Sequence, residues 1–336
     1  MKKTHVAAAA LAGLTAVLLS ACSTGSAGET DAAGSTDYQI AFVVGASSDP
    51  FFQAMKVGAD EAAAELGATV LFQGDATTYS SATQIPVVNQ ALATSPDGLI
   101  IGPTDPTALQ AVVDRAAATI PVVNVDTSVE KLDDVVSFIT GDNTDGGRKA
   151  ADAIAEGIGY EDGKSYQVAV GLSSATSTTN VARLDGFTQQ LEQKYPGIEI
   201  VATGYSESNP TKANTNINNW ITAYPDLDGI FAIDGTNATG AAAALQSKGL
   251  VGSIALVGYD AYKTNVDLLS QGVFTALIAQ DPAQEGRLAV EAIVDYLKNG
   301  SSSDGIEHEQ TLPNIILDAT TSPADLEKYT YVESAS

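Results

Sequence analysis

The chain has 336 residues, 44% of them hydrophobic, with 41 Asp and Glu against 16 Lys and Arg, one cysteine and two histidines. A net charge of −25 repels polyanions and argues against nucleic-acid binding, which needs Lys and Arg to neutralise phosphates. One cysteine leaves no internal disulfide, and with His5 in the leader and His308 in a polar loop, neither a histidine triad nor a His/Cys zinc site can be assembled.

Residues 1–22 read MKKTHVAAAALAGLTAVLLSAC. Lys2 and Lys3 precede a short apolar run from Val6 to Leu19 and then small residues, the layout of a secretion signal and too short for a comfortable membrane span. The stretch LLSAC resembles the bacterial lipoprotein box, in which cleavage precedes a cysteine that carries lipid. Cys22 is therefore the expected anchor, the alternative being an incidental cysteine beside an ordinary cleavage site. The small, polar residues 23–37 that follow read as a flexible tether, so the expected location is extracytoplasmic, held at the cell membrane as a lipoprotein.

From Tyr38 onward short apolar runs alternate with helical patterns. The first series is YQIAFVV (38–44), ATVLF (68–72), DGLII (97–101), IPVVNV (120–125) and VVSFI (135–139). The second is YQVAVG (166–171), IEIVATG (198–204), DGIFAI (228–233), SIALVG (253–258) and VFTALIA (273–279). Between them lie segments such as QAMKVGADEAAAELG, with apolar residues at helical spacing. Near-continuous apolar strands separated by helices predict parallel sheets covered on both faces, an α/β chain. About ten strands in two comparable series predict two doubly wound parallel-sheet lobes, divided near GDNTDGG (141–147).

Open parallel sheets bind ligands beyond the carboxyl ends of their strands. Those ends carry Asp49, the PTD of 103–105, and Asp126 in the first series, then Asp234, Asp260 and Gln280 in the second. Each also suits a local role. Asp49 before Pro50 reads as a helix N-cap, Asp126 and Asp260 as strand-ending turns, Asp234 as the opening of a helix, and Gln280 as part of the helix start at Asp281-Pro282. Arg183 reads alternatively as a surface residue paired with Asp185. Taken together, six strand-end positions favour a shared site. Catalytic motifs are absent: Gly163-Lys164-Ser165 precedes a strand and lacks the upstream glycine of a phosphate loop, and no dinucleotide fingerprint follows the first strand. A carboxylate pair for glycoside hydrolysis is the enzymatic alternative that stays open.

The segments IAFVVGASSDPFFQAMKVGADEAAAELG, DGLIIGPTDPTAL, IPVVNVD, TGDNTDGGRKAADAI, ARLDGF, AYPDLDGIFAIDGTNATGAAAALQ, LVGYDA and TALIAQDP occur in this order over residues 38–320. So ordered, they resemble the ribose- and galactose-binding family of periplasmic-type sugar-binding proteins that serve ATP-driven importers. The resemblance implies a periplasmic binding protein-like type I fold, two lobes joined by a three-crossover hinge near 140–143, 279–282 and 306–312. It divides the chain into 38–141 plus 281–308 for the N-terminal lobe, 142–280 plus 309–322 for the C-terminal lobe, and a tail of 323–336. It also implies that Phe51 and Phe52 cover the apolar face of a sugar ring, the alternative being that one of them caps the first helix against the core. Asp49, Asp126, Asp260 and Gln280 fall where the family bonds sugar hydroxyls, and Arg183 where an arginine does so from the second lobe.

Several positions depart from the family. Gly102 stands where ribose binders have Asn, Thr127 where they have Arg, Asp234 where Asn is usual, and Ser208-Asn209 where an aromatic-Asp pair is found. Tyr205 is the nearest candidate for the missing ring. Four aspartates against one arginine suit a ligand rich in O–H donors, or alternatively an amino sugar, polyol or other cationic small molecule. The resemblance thus implies a monomeric solute-binding protein that captures a monosaccharide-like ligand by hinge closure and delivers it to an ABC permease. The alternative role is a ligand-sensing receptor subunit. No catalytic residue, cofactor or metal is expected.

Overall fold

The structure, a computed structural model, describes residues 38–332. The expected signal, Cys22 and the tether 23–37 lie outside the described residues. Among those described, no helix is long and apolar enough to cross a membrane.

Two six-stranded sheets organise the chain. The first holds β1 (Tyr38–Ala46), β2 (Ala68–Asp75), β3 (Gly98–Ile101), β4 (Val122–Val125) and β5 (Ser137–Gly141). The second holds β6 (Tyr166–Leu172), β7 (Ile198–Tyr205), β8 (Leu227–Ala232), β9 (Ala255–Tyr259) and β10 (Ala276–Ala279). All ten are the strands expected from the apolar runs. Within each set the order is the same, β2-β1-β3-β4-β5 and β7-β6-β8-β9-β10, so two halves without evident sequence repetition share one doubly wound topology. The central strands β3, β4, β9 and β10 are buried at every position, as parallel strands sandwiched between helices must be.

Two further short strands were not apparent in the sequence. β11 (Glu309–Leu312) adds parallel to β5, and β12 (Ile315–Asp318) adds antiparallel to β10. Residues 309–312 thus join the first sheet instead of the second, and the chain crosses between sheets at 313–314, beyond the 306–312 expected. The physical reason is that EQTL is a half-exposed edge strand with no apolar run to mark it. The other two crossings fall between β5 and α4 (Asn143–Gly157) and between β10 and α9 (Pro282–Lys298), close to the expected positions.

Helices α1 (Pro50–Leu66), α2 (Ser81–Ala93), α3 (Pro106–Ala117), α5 (Thr178–Lys194), α6 (Pro210–Ala223), α7 (Gly235–Lys248), α8 (Lys263–Ser270) and α10 (Pro323–Tyr329) complete the chain. Many start from a polar cap, followed by proline at the first position, where the missing N–H costs nothing; Asp49, Asp105, Asn209, Asp281 and Ser322 all cap this way. α4 and α5 pack at backbone distance through paired glycines. A Cβ on Gly147 would lie 2.0 Å from the Arg183 carbonyl oxygen, and one on Gly186 would lie 2.1 Å from that of Thr144. That close approach sets the depth at which Arg183 enters the molecule. Residues 323–331 are ordered against the body of the protein: α10 leads to Tyr331, which is buried.

Candidate functional site

The carboxyl ends of both sheets face one crevice. Its inner cavity is lined by Asp49, Phe51, Phe52 and Asp126 from the first lobe, and by Arg183, Ser208, Asp234, Asp260 and Gln280 from the second lobe and its crossing. Only about 50 Å³ there is open to a water-sized sphere, so the lobes are closed tightly on this site.

Strand-end geometry places each acid. Asp126 and Asp260 follow β4 and β9 in the left-handed region, with φ of 59° and 69°, a conformation that Asp tolerates better than most residues and that turns the side chain out of the sheet. Asp260 is held by three donors: the Gly235 N–H at 2.8 Å, the Gln280 Nε2 at 2.7 Å and the Tyr331 hydroxyl at 3.1 Å. Asp49 serves two purposes at once, since its Oδ1 accepts from the Phe51 N–H at 2.9 Å as a helix cap and from the Tyr262 hydroxyl at 2.5 Å across the crevice. Asp234 caps α7 through the Asn237 N–H at 2.9 Å and still borders the cavity. For both residues the local role and the shared crevice coexist.

Arg183 is not a surface residue paired with Asp185. It is 3% exposed, its guanidinium lies 3.7 Å from the centre of the Tyr259 ring, and it donates to Asn143 Oδ1 at 2.7 Å and to the Ile233 carbonyl at 3.0 Å. Stacking and paired acceptors compensate its desolvation and fix its plane. Phe51 and Phe52 are buried, packed edge to face with ring centres 5.3 Å apart, and both border the cavity. Phe52 also lies against the end of β3, where a Cβ on Gly102 would make an ordinary 3.5 Å contact with its ring.

Two expected residues stand elsewhere. Thr127 is fully buried away from the cavity; its hydroxyl meets Ser177 Oγ at 3.1 Å and Thr179 Oγ1 at 3.3 Å, joining the two lobes. The same hydroxyl lies 3.2 Å from Asp126 Oδ2 as a donor, so Thr127 supports that acid from behind instead of bordering the cavity. Asn209 spends its carbonyl oxygen capping α6, accepting from the Thr211 and Lys212 N–H groups at 2.9 and 3.0 Å, and borders only the outer cleft. Tyr205 is exposed and does not fill the missing aromatic position. Tyr262 and Tyr79 do border the cavity, with Ser173, Thr179, Asn180 and Thr236. Tyr262 lies only two residues beyond Asp260, which is the signal that a reading confined to strand ends overlooks.

The lobes are apposed. Besides Asp49–Tyr262 and the Thr127 contacts, the Ser128 N–H donates to Thr178 Oγ1 at 2.9 Å and the Thr176 hydroxyl to Asp105 Oδ2 at 2.9 Å. Burial dominates the electrostatics of this closed crevice. It pushes Asp49 up to about 7, against hydrogen bonds from Tyr262 and Phe51, and pushes Asp126 up to about 6 despite the nearby Arg183. Asp234 is likewise pushed up to about 6 by burial, opposed by its bonds from Asn237. Glu285, in the first turn of α9, is fully buried with neither carboxylate oxygen hydrogen-bonded; burial and then the charge of Asp126 hold its carboxyl well above the usual range and hence neutral. The crevice is thus rich in acceptors whose ionised forms await donors. Polyhydroxylated or ammonium-bearing small molecules supply donors, and the aromatic rings supply a surface for C–H faces.

The periplasmic binding protein domain family matches residues 40–301. The chain is 31% identical over 262 residues to the ribose import binding protein RbsB of Bacillus subtilis, covering 78% of this chain and 82% of that protein. It is 28% identical over 272 residues to the D-allose-binding periplasmic protein of Escherichia coli, covering 78% and 85% respectively. Among solved structures, an ABC transporter solute-binding protein from Agrobacterium vitis bound with α-D-tagatopyranose superposes with a TM-score of 0.81 at 30% identity, covering 88% of this chain and all of that one.

Proposed function

Because the chain belongs to the periplasmic binding protein family, we propose that it captures a monosaccharide-like solute between its lobes and delivers it to an ABC importer. The single observation that carries this reading is the convergence of Asp49, Asp126, Arg183, Asp234, Asp260 and Gln280 from both lobes on one cavity walled by Phe51 and Phe52. Carboxylates and the amide accept sugar hydroxyls, and charge-assisted bonds of about 1.5–3 kcal/mol each support tight binding after ordering costs. A ligand touching both lobes binds the closed form better than the open one, which is what drives closure about the crossings at 141–143, 280–282 and 313–314.

The family works outside the cytoplasm, and we take this chain to be held there by lipid on Cys22. Mass spectrometry of the N-terminal peptide tests that point: acyl chains on Cys22 are expected, and an unmodified thiol on the membrane-bound protein refutes the anchor. The protein binds its solute as a monomer and leaves it chemically unchanged; recovery of an altered sugar after incubation contradicts a pure binding role. The excess of acids over Arg183 also supports a second ligand class, amino sugars. A thermal-shift screen of D-ribose, D-allose, D-tagatose, D-arabinose and D-fucose beside D-glucosamine and D-galactosamine separates them. A ligand at 100 times its Kd adds about 2.7 kcal/mol, a shift of several degrees; no shift with any of them defeats the proposal.

A further inference from the structure

The residues after β12 lie beyond 40–301, the span matched by the family, yet they return to the base of the crevice. α10 is followed at once by Tyr331, whose backbone N–H donates to the Ala261 carbonyl at 2.9 Å, pinning the strand of chain beside the Asp260–Tyr262 turn. The Tyr331 side chain is 6% exposed and sits among groups of three origins. Its ring centre lies 6.2 Å from that of Phe51 in the first lobe and 6.0 Å from that of Tyr262 in the second. Its hydroxyl accepts from the Gln280 N–H at 3.0 Å, at the second crossing, and donates to Asp260 Oδ1 at 3.1 Å.

We infer that Tyr331 is a positioning residue for ligand binding: through its hydroxyl it holds the Asp260 carboxylate and the Gln280 backbone in binding geometry, and through its ring it backs Phe51 when the lobes meet. The chemistry supports each part. A tyrosine hydroxyl that both accepts and donates links a backbone N–H to a carboxylate in one chain of hydrogen bonds, and such chains strengthen cooperatively in a dry interior. Asp260 sits in a conformation that non-glycine residues adopt at a cost, so it stays aimed only while its surroundings over-determine it. With Gly235 and Gln280, Tyr331 completes the set of donors that does so, leaving the remaining acceptor capacity of the carboxylate for a ligand hydroxyl. Phe51 and Tyr262 come from different lobes and both pack on the Tyr331 ring, so the C-terminal segment supports two cavity-lining rings from behind when the lobes are together.

This inference rests on the solute-binding reading, and its test has one arm that depends on a sugar and one that does not. The variants are Tyr331→Phe, which keeps the ring and removes the hydroxyl, and Tyr331→Leu, which removes both. In unliganded full-length protein, hydrogen exchange at the Gln280 and Gly235 amides is compared with wild type. Tyr331→Phe is expected to speed exchange at both, the second because Asp260, the acceptor of the Gly235 N–H, loses one of its restraints. Loss of a merely structural contact leaves Gly235 protected, and unchanged protection at Gly235 overturns the inference. In the second arm, Kd is measured by calorimetry for whichever sugar or amino sugar of the panel above binds wild type most tightly. Tyr331→Phe is expected to raise Kd about tenfold, the effect of one bond to a charged acceptor, and Tyr331→Leu to raise it further. Wild-type Kd in Tyr331→Phe overturns the inference. Where no compound of the panel binds wild type, it is the solute class that has failed, and the exchange arm alone decides the role of Tyr331.

Discussion

The hydrogen bond from the Tyr262 hydroxyl to Asp49 Oδ1, 2.5 Å long, spans the crevice and exists only when the lobes are together. Tyr262→Phe removes it while keeping the aromatic wall. A bond to an ionised carboxylate contributes about 1.5–3 kcal/mol, which converts to roughly 10- to 100-fold in an equilibrium constant. The bond is absent in an open form, so its whole contribution falls on closure, and ligand affinity is reduced by whatever closure loses. Loss of the Tyr262 donor also removes the first of the influences that oppose burial at Asp49, whose carboxyl then rises above about 7 and prefers its neutral form. Calorimetry with the sugar that binds most tightly is the assay, with small-angle scattering of unliganded and liganded protein to follow closure. The expected result is a Kd raised at least tenfold with the liganded radius of gyration unchanged. An unaltered Kd in Tyr262→Phe refutes the argument that this bond contributes to closure.

Asp126→Ala and Arg183→Ala are each expected to abolish the ligand-induced thermal shift while the unliganded proteins remain folded by circular dichroism; a full shift in both contradicts the site. Affinity for a neutral sugar is expected to fall as pH is lowered from 7 to 5, because Asp126 and Asp234, at about 6, and Asp49, at about 7, take up protons and cease to be pure acceptors; calorimetry over that range checks it. Unliganded stability responds with the opposite sign at Asp49. Its folded pKa lies above the unfolded one, so the penalty is complete above about 7 and gone below about 4, and wild type gains on Asp49→Asn as pH falls through that window in denaturant titrations. Gly186→Ala is expected to cost about 1–3 kcal/mol and to weaken binding as well, since a Cβ 2.1 Å from the Thr144 carbonyl forces α4 and α5 apart and carries Arg183 with them; melting and binding curves measure both.

The sheets were legible in the sequence because a parallel strand buried on both faces has to be apolar throughout, as VVNV of β4 and ALIA of β10 are. β11 escaped because an edge strand needs no such run, and β12, though IILD, is only three apolar residues long and follows the ten-strand rhythm with no helix between. Asp49, Asp126, Asp234, Asp260 and Gln280 were found by one rule, polar residues at carboxyl ends of strands, whereas Thr127 entered only as a departure from the family's arginine and lies buried behind Asp126, bonded to its Oδ2. Asn209 entered with Ser208 as the stand-in for the family's aromatic-Asp pair; it precedes proline at a helix start as Asp49 does, but only Asp49 has its second partner across the crevice. Tyr331 carries no local mark at all. Its role depends on a chain reversal through α10 that returns a distant residue to Asp260, and that return is a property of packing and not of pattern.

A crystal structure of the protein grown with the sugar that gives the largest thermal shift tests the central claim most directly. The account predicts one sugar molecule in the cavity, its hydroxyls within hydrogen-bonding distance of Asp126, Arg183 and Asp260 together and its C–H face on Phe51 or Phe52. A sugar bound away from these residues, or touching one lobe alone, contradicts it.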